Sequence, residues 1–353
     1  MLVVSLLILL ILILRIIVGN LKASPTNAHK VESFFCVIAY FCIVLLAMFR
    51  GEDVGVDTLS YIKDYQGMHT MDWGDIINEY KGYEGYYLIS KIFSMLGLPY
   101  FIWFGFVELL FVCAIARFIG KFSSDRLYSI VLFLTTGLFM FSLAGLKQTL
   151  AMSLVLYAYV DFVDKKYLRS SILIVLTYFV HPVSLIALFA FVFHSFRRGK
   201  ILIPLLLLFC FLICVGGLGT ASLFVSITGN EHYKMYLESD SSYTMSTLFL
   251  YLLILLCTLP YLIKYYKSGF YSKVEVCCVV LVCACQYLAS LSPSLFRLAL
   301  PLLPFMLVYV PNSYSVVCKK HTERNLLKLL ALLGPIIFFI YSNRTFTFTF
   351  ISF

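Results

Sequence analysis

Apolar runs close to twenty residues long recur from one end of this chain to the other, and about 20 such residues are what a helix needs to cross the hydrocarbon of a bilayer. In lipid the backbone must satisfy its own polar groups, so these runs are expected to be helices and not strands. Composition agrees: 13% of residues are charged and 61% hydrophobic, where a soluble fold carries roughly a quarter charged. The runs cover 2–19, 31–49, 99–119, 128–143, 149–163, 170–180, 183–196, 201–218, 247–263, 274–290, 298–317 and 326–341. The first lacks a basic start and a small-residue cleavage site, so it reads as a retained span and not a signal peptide. The expected fold is an all-α integral membrane protein of about twelve transmembrane helices. It forms a single polytopic domain over residues 1–353, with two larger outer loops at 50–98 and 219–246.

Sidedness follows from the basic residues. Sorting the loops alternately puts Arg50, Lys63, Lys81, Lys91, Lys147, Lys234, Arg297 and Arg344 on one side. Arg15 falls inside the first run, and the rest of the 27 Lys and Arg gather on the other side, which is therefore cytoplasmic. Insertion thus accounts for most of the +9 net charge, and no nucleic-acid partner is needed. The sorting keeps 85–98 outside, where Tyr86, Tyr87, Ile89, Ile92, Phe93 and Leu96 would form the apolar face of an interfacial helix. The short runs on either side of His181 read as a hairpin of two partial helices. The 11 Cys lie in or beside apolar runs and are expected to pack as small apolar residues. No cluster has metal-ligand spacing, and no Gly-rich phosphate loop is present, so neither a metal nor another cofactor is expected.

The outer loops combine Glu52, Asp53, Asp57, Asp64, Asp72, Asp75, Glu79, Glu84, Glu231, Glu238 and Asp240 with Tyr61, Tyr65, Trp73, Tyr80, Tyr83, Tyr233, Tyr236 and Tyr243. Carboxylates for hydroxyls and rings for apolar sugar faces suit a carbohydrate site; a solvated surface with an aromatic interface belt gives the same composition. At the start of the first loop, Arg50 leaves the second run, and Asp57 or Thr58 can cap a short helix that puts Asp57, Tyr61 and Tyr65 on one face. A guanidinium there suits a lipid-linked phosphate, or a pairing with Asp53 or Asp57. Lys147, His181 and Arg297 stand at the ends of apolar runs, where ionisable groups are functional candidates; snorkelling, or for His181 a buried ring at a helix break, is the structural alternative. Glu108, inside the third run, either pairs internally or lines a polar cavity.

The string Arg50-x4-Gly55-x-Asp57-Thr58-x2-Tyr61 resembles that of the bacterial EpsG-type and Wzy-type polysaccharide polymerases. Lys147-Gln148 stands where that family has Arg-Gln, His181 matches an apolar-His pair before a Ser-containing helix, and Arg297 matches a late outer Arg. The likeness runs from about residue 30 to 310. It departs from the family at Lys147, which lacks an arginine's bidentate geometry, and after Arg297, where the aromatic that often follows is missing.

The resemblance implies a membrane-embedded glycosyltransferase on the outer face of the bacterial inner membrane. It would join undecaprenyl-pyrophosphate-linked oligosaccharide repeat units into O-antigen, capsule or exopolysaccharide, without a nucleotide sugar. Arg50, Lys147 and Arg297 would hold the pyrophosphate; Asp57 or His181 would take the acceptor's proton; Tyr61, Tyr65 and Glu84 would position sugars. The bilayer is a partner, and a chain-length-regulating membrane protein is a candidate one. Rival readings are an O-antigen ligase, whose large outer loop usually lies late in the chain, and a lipid-linked oligosaccharide flippase, which would show repeated halves. A membrane acyltransferase is a third rival, with His181 as its one candidate acid–base group.

Overall fold

The computed structural model describes residues 2–20, 25–196, 201–228, 246–289, 293–318, 320–344 and 347–351. It is 85% helix, and among the described residues the one β-type pairing is a bridge between Arg50 and Phe350. The first half runs through α1 (Leu2–Asn20), α2 (Pro25–Met48), α3 (Thr58–Gly67), α4 (Trp73–Glu79), α5 (Glu84–Met95), α6 (Tyr100–Phe122), α7 (Arg126–Thr135), α8 (Leu138–Ala144), α9 (Leu146–Val163) and α10 (Tyr167–Val180). After a 3-10 turn (Pro182–Ala187) come α11 (Leu188–Phe196), α12 (Leu202–Thr228), α13 (Ser246–Ser268), α14 (Phe270–Ala289), α15 (Pro304–Val317) and α16 (His321–Ser342).

Five described helices are long and apolar enough to cross a membrane: Leu2–Gly19, His29–Met48, Tyr100–Phe122, Tyr271–Ala289 and Thr322–Ser342. Counting each bent pair as one span raises the number to eight. The chain is thus a multi-pass membrane protein, and twelve crossings is a finer statement than these lengths decide. One bent pair is α7 and α8, which meet at 53°; Gly137 between them takes φ +87°, a left-handed conformation that glycine adopts at little cost. The stretch around His181 forms two short helices, as expected. His181 takes an extended backbone because Pro182 disfavours the helical region for the residue before it.

The expected second outer loop is corrected in its first part. Helix α12 continues to Thr228, because the apolar run persists through residues 219–228. Residues 229–245, with Glu231, Tyr233, Tyr236, Glu238, Asp240 and Tyr243, lie outside the described residues. A second correction concerns α5. It does run as a helix, but its buried face is Tyr86, Tyr87, Ser90, Lys91 and Ser94, while Ile92 and Leu96 are exposed. Lys91 turns inward because its ammonium finds the carbonyls of Met68, at 3.0 Å, and Met71.

The chain divides into two compact units, Met1–Pro182 with Phe339–Phe353, and Val183–Phe338. In the first, α6 and α9 form the core with α2 and α10 beside them. Gly105 lets α6 approach α2: a Cβ there would lie 2.7 Å from Met48 Cγ, the close contact that small residues permit in membrane helices. One end of α6 and α9 is an ion-pair network. Asp161, fully buried, meets Arg117 at 2.6 Å and Arg169 at 2.9 Å. Arg15 is tolerated in an apolar helix because it reaches Asp125 at 2.9 Å.

In the second unit, α14 is the most enclosed helix, and Cys277, Cys278, Cys283 and Cys285 are buried along it as free thiols. Beside them Glu275 accepts hydrogen bonds from Tyr265, at 2.5 Å, and from Asn312, at 3.2 Å. Replacing Asp161 by Ala removes the shared partner of two arginines. Both are partly exposed, so the expected loss is about 2 kcal/mol, near the value of charge-assisted bonds, read as a lower thermal midpoint in detergent.

Candidate active site

The other end of α6 and α9 carries most of the motif residues. Helix α2 ends at Met48, and its last carbonyls need partners. Arg50 supplies one by folding back, its Nη1 donating to the Ala47 carbonyl at 2.7 Å. The guanidinium also lies over the Phe104 ring, 4.9 Å from its centroid. Only 1% of Arg50 is exposed, and it forms no ion pair with Asp53 or Asp57. Its Nε and Nη2 are buried without a hydrogen-bond partner. These two nitrogens share one edge of the planar group, the edge whose parallel N–H bonds match two oxygens of a phosphate or carboxylate. Burial pulls the guanidinium's pKa down to about 10, against which the Glu108 carboxylate works, so Arg50 stays charged at neutral pH.

Glu108 comes from α6 and is fully buried. Its Oε1 accepts from Ser142 Oγ at 3.0 Å, and its Oε2 has no hydrogen-bond partner. Behind Arg50 the chain turns sharply through Gly55, at φ +99°, where a Cβ would meet the Leu143 carbonyl at 2.6 Å and Thr58 Oγ1 at 2.7 Å. Glycine is thus needed both for conformation and for space. Asp57 stands at the N-cap of α3 as expected, but its side chain makes no capping bond. Thr58 donates its hydroxyl to the Val54 carbonyl at 2.5 Å.

Helices α3 and α5 then close a layer of aromatic rings over α6 and α9. Tyr61 packs on Tyr86 with centroids 5.8 Å apart, Trp103 Nε1 donates to Tyr86 Oη at 3.2 Å, and Tyr80 stacks on Tyr87 at 3.7 Å. Lys147, in the first turn of α9, points into this layer. Its Nζ lies 5.5, 4.7 and 5.2 Å from the ring centroids of Tyr61, Tyr83 and Tyr87, and donates to Tyr87 Oη at 3.2 Å. Tyr87 in turn donates to Asp64 Oδ2 at 2.8 Å. Burial, then the Asp64 carboxylate, raises the Tyr87 pKa, so the phenol keeps its proton. His181, 3% exposed, packs on Tyr83 with centroids 5.3 Å apart. Gly85 permits this approach, since a Cβ there would lie 3.1 Å from Val180 Cγ2.

The chain matches the EpsG family over residues 33–352. It belongs to that family. EpsG proteins are Wzy-type polysaccharide polymerases, so this chain is a membrane-embedded, glycosyltransferase-like polymerase of polysaccharide. No curated protein and no solved structure matches it.

Within this EpsG-family chain, Arg50, Tyr61, Lys147 and His181 all border the aromatic layer or the motif turn beside it. Tyr65 is 5% exposed and its hydroxyl donates to the Leu98 carbonyl at 2.6 Å, which ties α3 to the segment that follows α5. Glu84 stands in the first turn of α5, where a carboxylate suits the helix dipole. Arg297 lies in the 3-10 turn Pro293–Leu298 of the second unit. Sequence reasoning gave Asp64 only as one of many outer-loop carboxylates and Tyr86 and Tyr87 only as part of an interfacial face, and it did not name Trp103. The signal for Tyr86 and Tyr87 was present in the periodicity of α5, which was read as an apolar face turned toward lipid.

Tyr87→Phe keeps the stacked ring and breaks the chain from Lys147 to Asp64. Polymer formation by the reconstituted protein is expected to fall about tenfold, the equivalent of one charge-assisted hydrogen bond. An unchanged rate would remove that chain of bonds from the chemistry.

Proposed function

We propose that this polymerase joins undecaprenyl-pyrophosphate-linked oligosaccharide repeat units on the outer face of a bacterial inner membrane, as one polytopic domain of about twelve crossings. The observation that carries the reading is the buried Nε–Nη2 edge of Arg50, which has no hydrogen-bond partner in the protein. A buried charge normally has its hydrogen bonds filled; here two parallel donors of a fixed guanidinium are vacant, the geometry of a receptor for one phosphate group.

The chemistry is a displacement at the anomeric carbon of the growing chain. An acceptor hydroxyl on the incoming lipid-linked unit attacks, the bond from the anomeric carbon to the pyrophosphate breaks, and the lipid pyrophosphate leaves with the electron pair. Arg50 meets the charge that grows on that leaving group, where fixed donors in a water-poor site are most effective. Lys147 adds positive charge from the aromatic layer. The acceptor's proton goes to a carboxylate or an imidazole, with Asp57 and His181 as the two candidates. Tyr61 and its neighbouring rings offer apolar faces to the sugars. O-antigen, capsule and exopolysaccharide are all made from such units, and the arrangement suits each of them.

The test is a reconstitution with purified protein in lipid nanodiscs, undecaprenyl-pyrophosphate-linked repeat units and no nucleotide sugar, with products separated as a ladder. Wild type forms the ladder. Arg50→Ala loses it by a factor of about 10²–10³, the usual scale for one electrostatic donor. Arg50→Lys retains an intermediate rate, as a point charge without the fork. A full ladder from Arg50→Ala would overturn the reading.

A further inference from the structure

The end of the chain returns to the motif. Residues 345–350 alternate Thr and Phe, the period of an extended segment. Residues 347–351 run antiparallel to residues 49–51, with Phe350 opposite Arg50. The Gly51 N–H donates to the Thr349 carbonyl at 2.8 Å, and the Ile351 N–H donates to the Phe49 carbonyl at 3.1 Å. These two bonds flank Arg50 on either side. The Thr349 hydroxyl also meets the Asp53 carboxylate. The fit is close: a Cβ on Gly51 would lie 2.1 Å from Thr349 Oγ1 and 3.0 Å from Thr349 Cβ.

The pairing answers a local need. Arg50 has left α2, so the Phe49 carbonyl and the Gly51 N–H find their partners outside the helix, and buried backbone groups are almost always paired. The Nη1 bond to Ala47 sets one end of the guanidinium, but the aim of its free edge also depends on where the backbone of residues 49–51 sits. A bidentate contact tolerates little misplacement, because both N–H bonds must line up with oxygens of the same group.

We propose that residues 347–351 form a positioning strap of the polymerase, holding the Arg50 backbone so that the Nε–Nη2 edge keeps a fixed aim at the substrate's phosphate. This rests on reading Arg50 as the phosphate contact. Thr349 and Ile351 act through Arg50 and touch no reacting atom.

Two sets of variants test the strap in the same nanodisc assay, with KM for the lipid-linked repeat unit and kcat measured separately. Ile351→Pro removes one of the two flanking bonds. Gly51→Ala drives the Thr349 side chain away, and adding Thr349→Gly removes that clash, leaving the far end of the Asp53 side chain, 2.8 Å from the new Cβ, to shift. Ile351→Pro and Gly51→Ala are each expected to lower kcat/KM about tenfold, through a higher KM and a lower kcat, because Arg50 holds the phosphate of the bound unit and meets the charge that grows on it. The double variant is expected to return kcat/KM toward wild type. A loss of activity matched by an equal loss of folded, monodisperse protein would overturn the strap, as would wild-type constants in both single variants. A Gly51→Ala defect that Thr349→Gly leaves uncorrected would overturn it too. Arg50→Ala runs alongside: if it polymerises normally, the reading of Arg50 fails, whatever the strap variants do.

Discussion

A guanidinium shut away from water is the interaction on which this end of the molecule depends. Taking an ionised group out of water costs several kcal/mol unless something replaces its hydration. For Arg50 the replacement is partial: one carbonyl at the end of α2, the face of Phe104, and the field of Glu108. The surrounding sequence follows from that enclosure. Gly55 lets the chain turn beneath it, Gly105 brings α6 close to α2, and Gly51 lets residues 347–351 lie against it. Each glycine stands where a side chain would push the enclosure open. What remains is a charge whose two best-aligned donors make no hydrogen bond to the protein.

The two ends of α6 and α9 treat charge in opposite ways. At the Asp161 end, acids and bases are matched, Arg117 and Arg169 sharing one buried carboxylate while Arg15 holds Asp125. At the other end Arg50 rests on a carbonyl and on the Phe104 face, and Lys147 on three tyrosine faces and the Tyr87 hydroxyl. Rings stabilise a cation without cancelling its charge, so positive potential survives there to act on an anionic substrate. A matched end holds helices together; on the proposed reading, the other end holds a diphosphate.

Much of this was legible in the sequence, and the limit has a physical form. Hydropathy located the helices because crossing hydrocarbon is a local demand on composition, and His181 was legible as a helix break because Pro182 acts on its immediate neighbour. The string from Arg50 to Tyr61 likewise spells one turn and one helix start. Contacts between distant segments were not legible. Nothing in the run around Glu108 announces Ser142, the periodicity of α5 does not reveal that Lys91 finds carbonyls inside, and the Thr–Phe alternation near the C-terminus does not name residues 49–51 as its partner. Around Glu108 and along α5 the local pattern was read correctly as a helix, but the partners of its buried groups lie far away in the chain.

Lys147 shows how a departure from a family pattern can have a local cause. The expected residue was arginine, whose fork would bind phosphate through two bonds. A cation in the first turn of a helix opposes the helix dipole, at a cost of about 0.3–1 kcal/mol. Three tyrosine faces within 5.5 Å offset that cost, since each contributes about 0.5–1 kcal/mol even at exposed sites. A compact ammonium can face three rings at once and still donate to Tyr87 Oη, whereas a planar guanidinium would stack on one ring and turn its edges from the others. The lysine therefore suits the aromatic layer that α3 and α5 build. With the fork absent there, on the proposed reading the two-point contact to phosphate is made by Arg50, whose Nε and Nη2 have no hydrogen-bond partner in the protein.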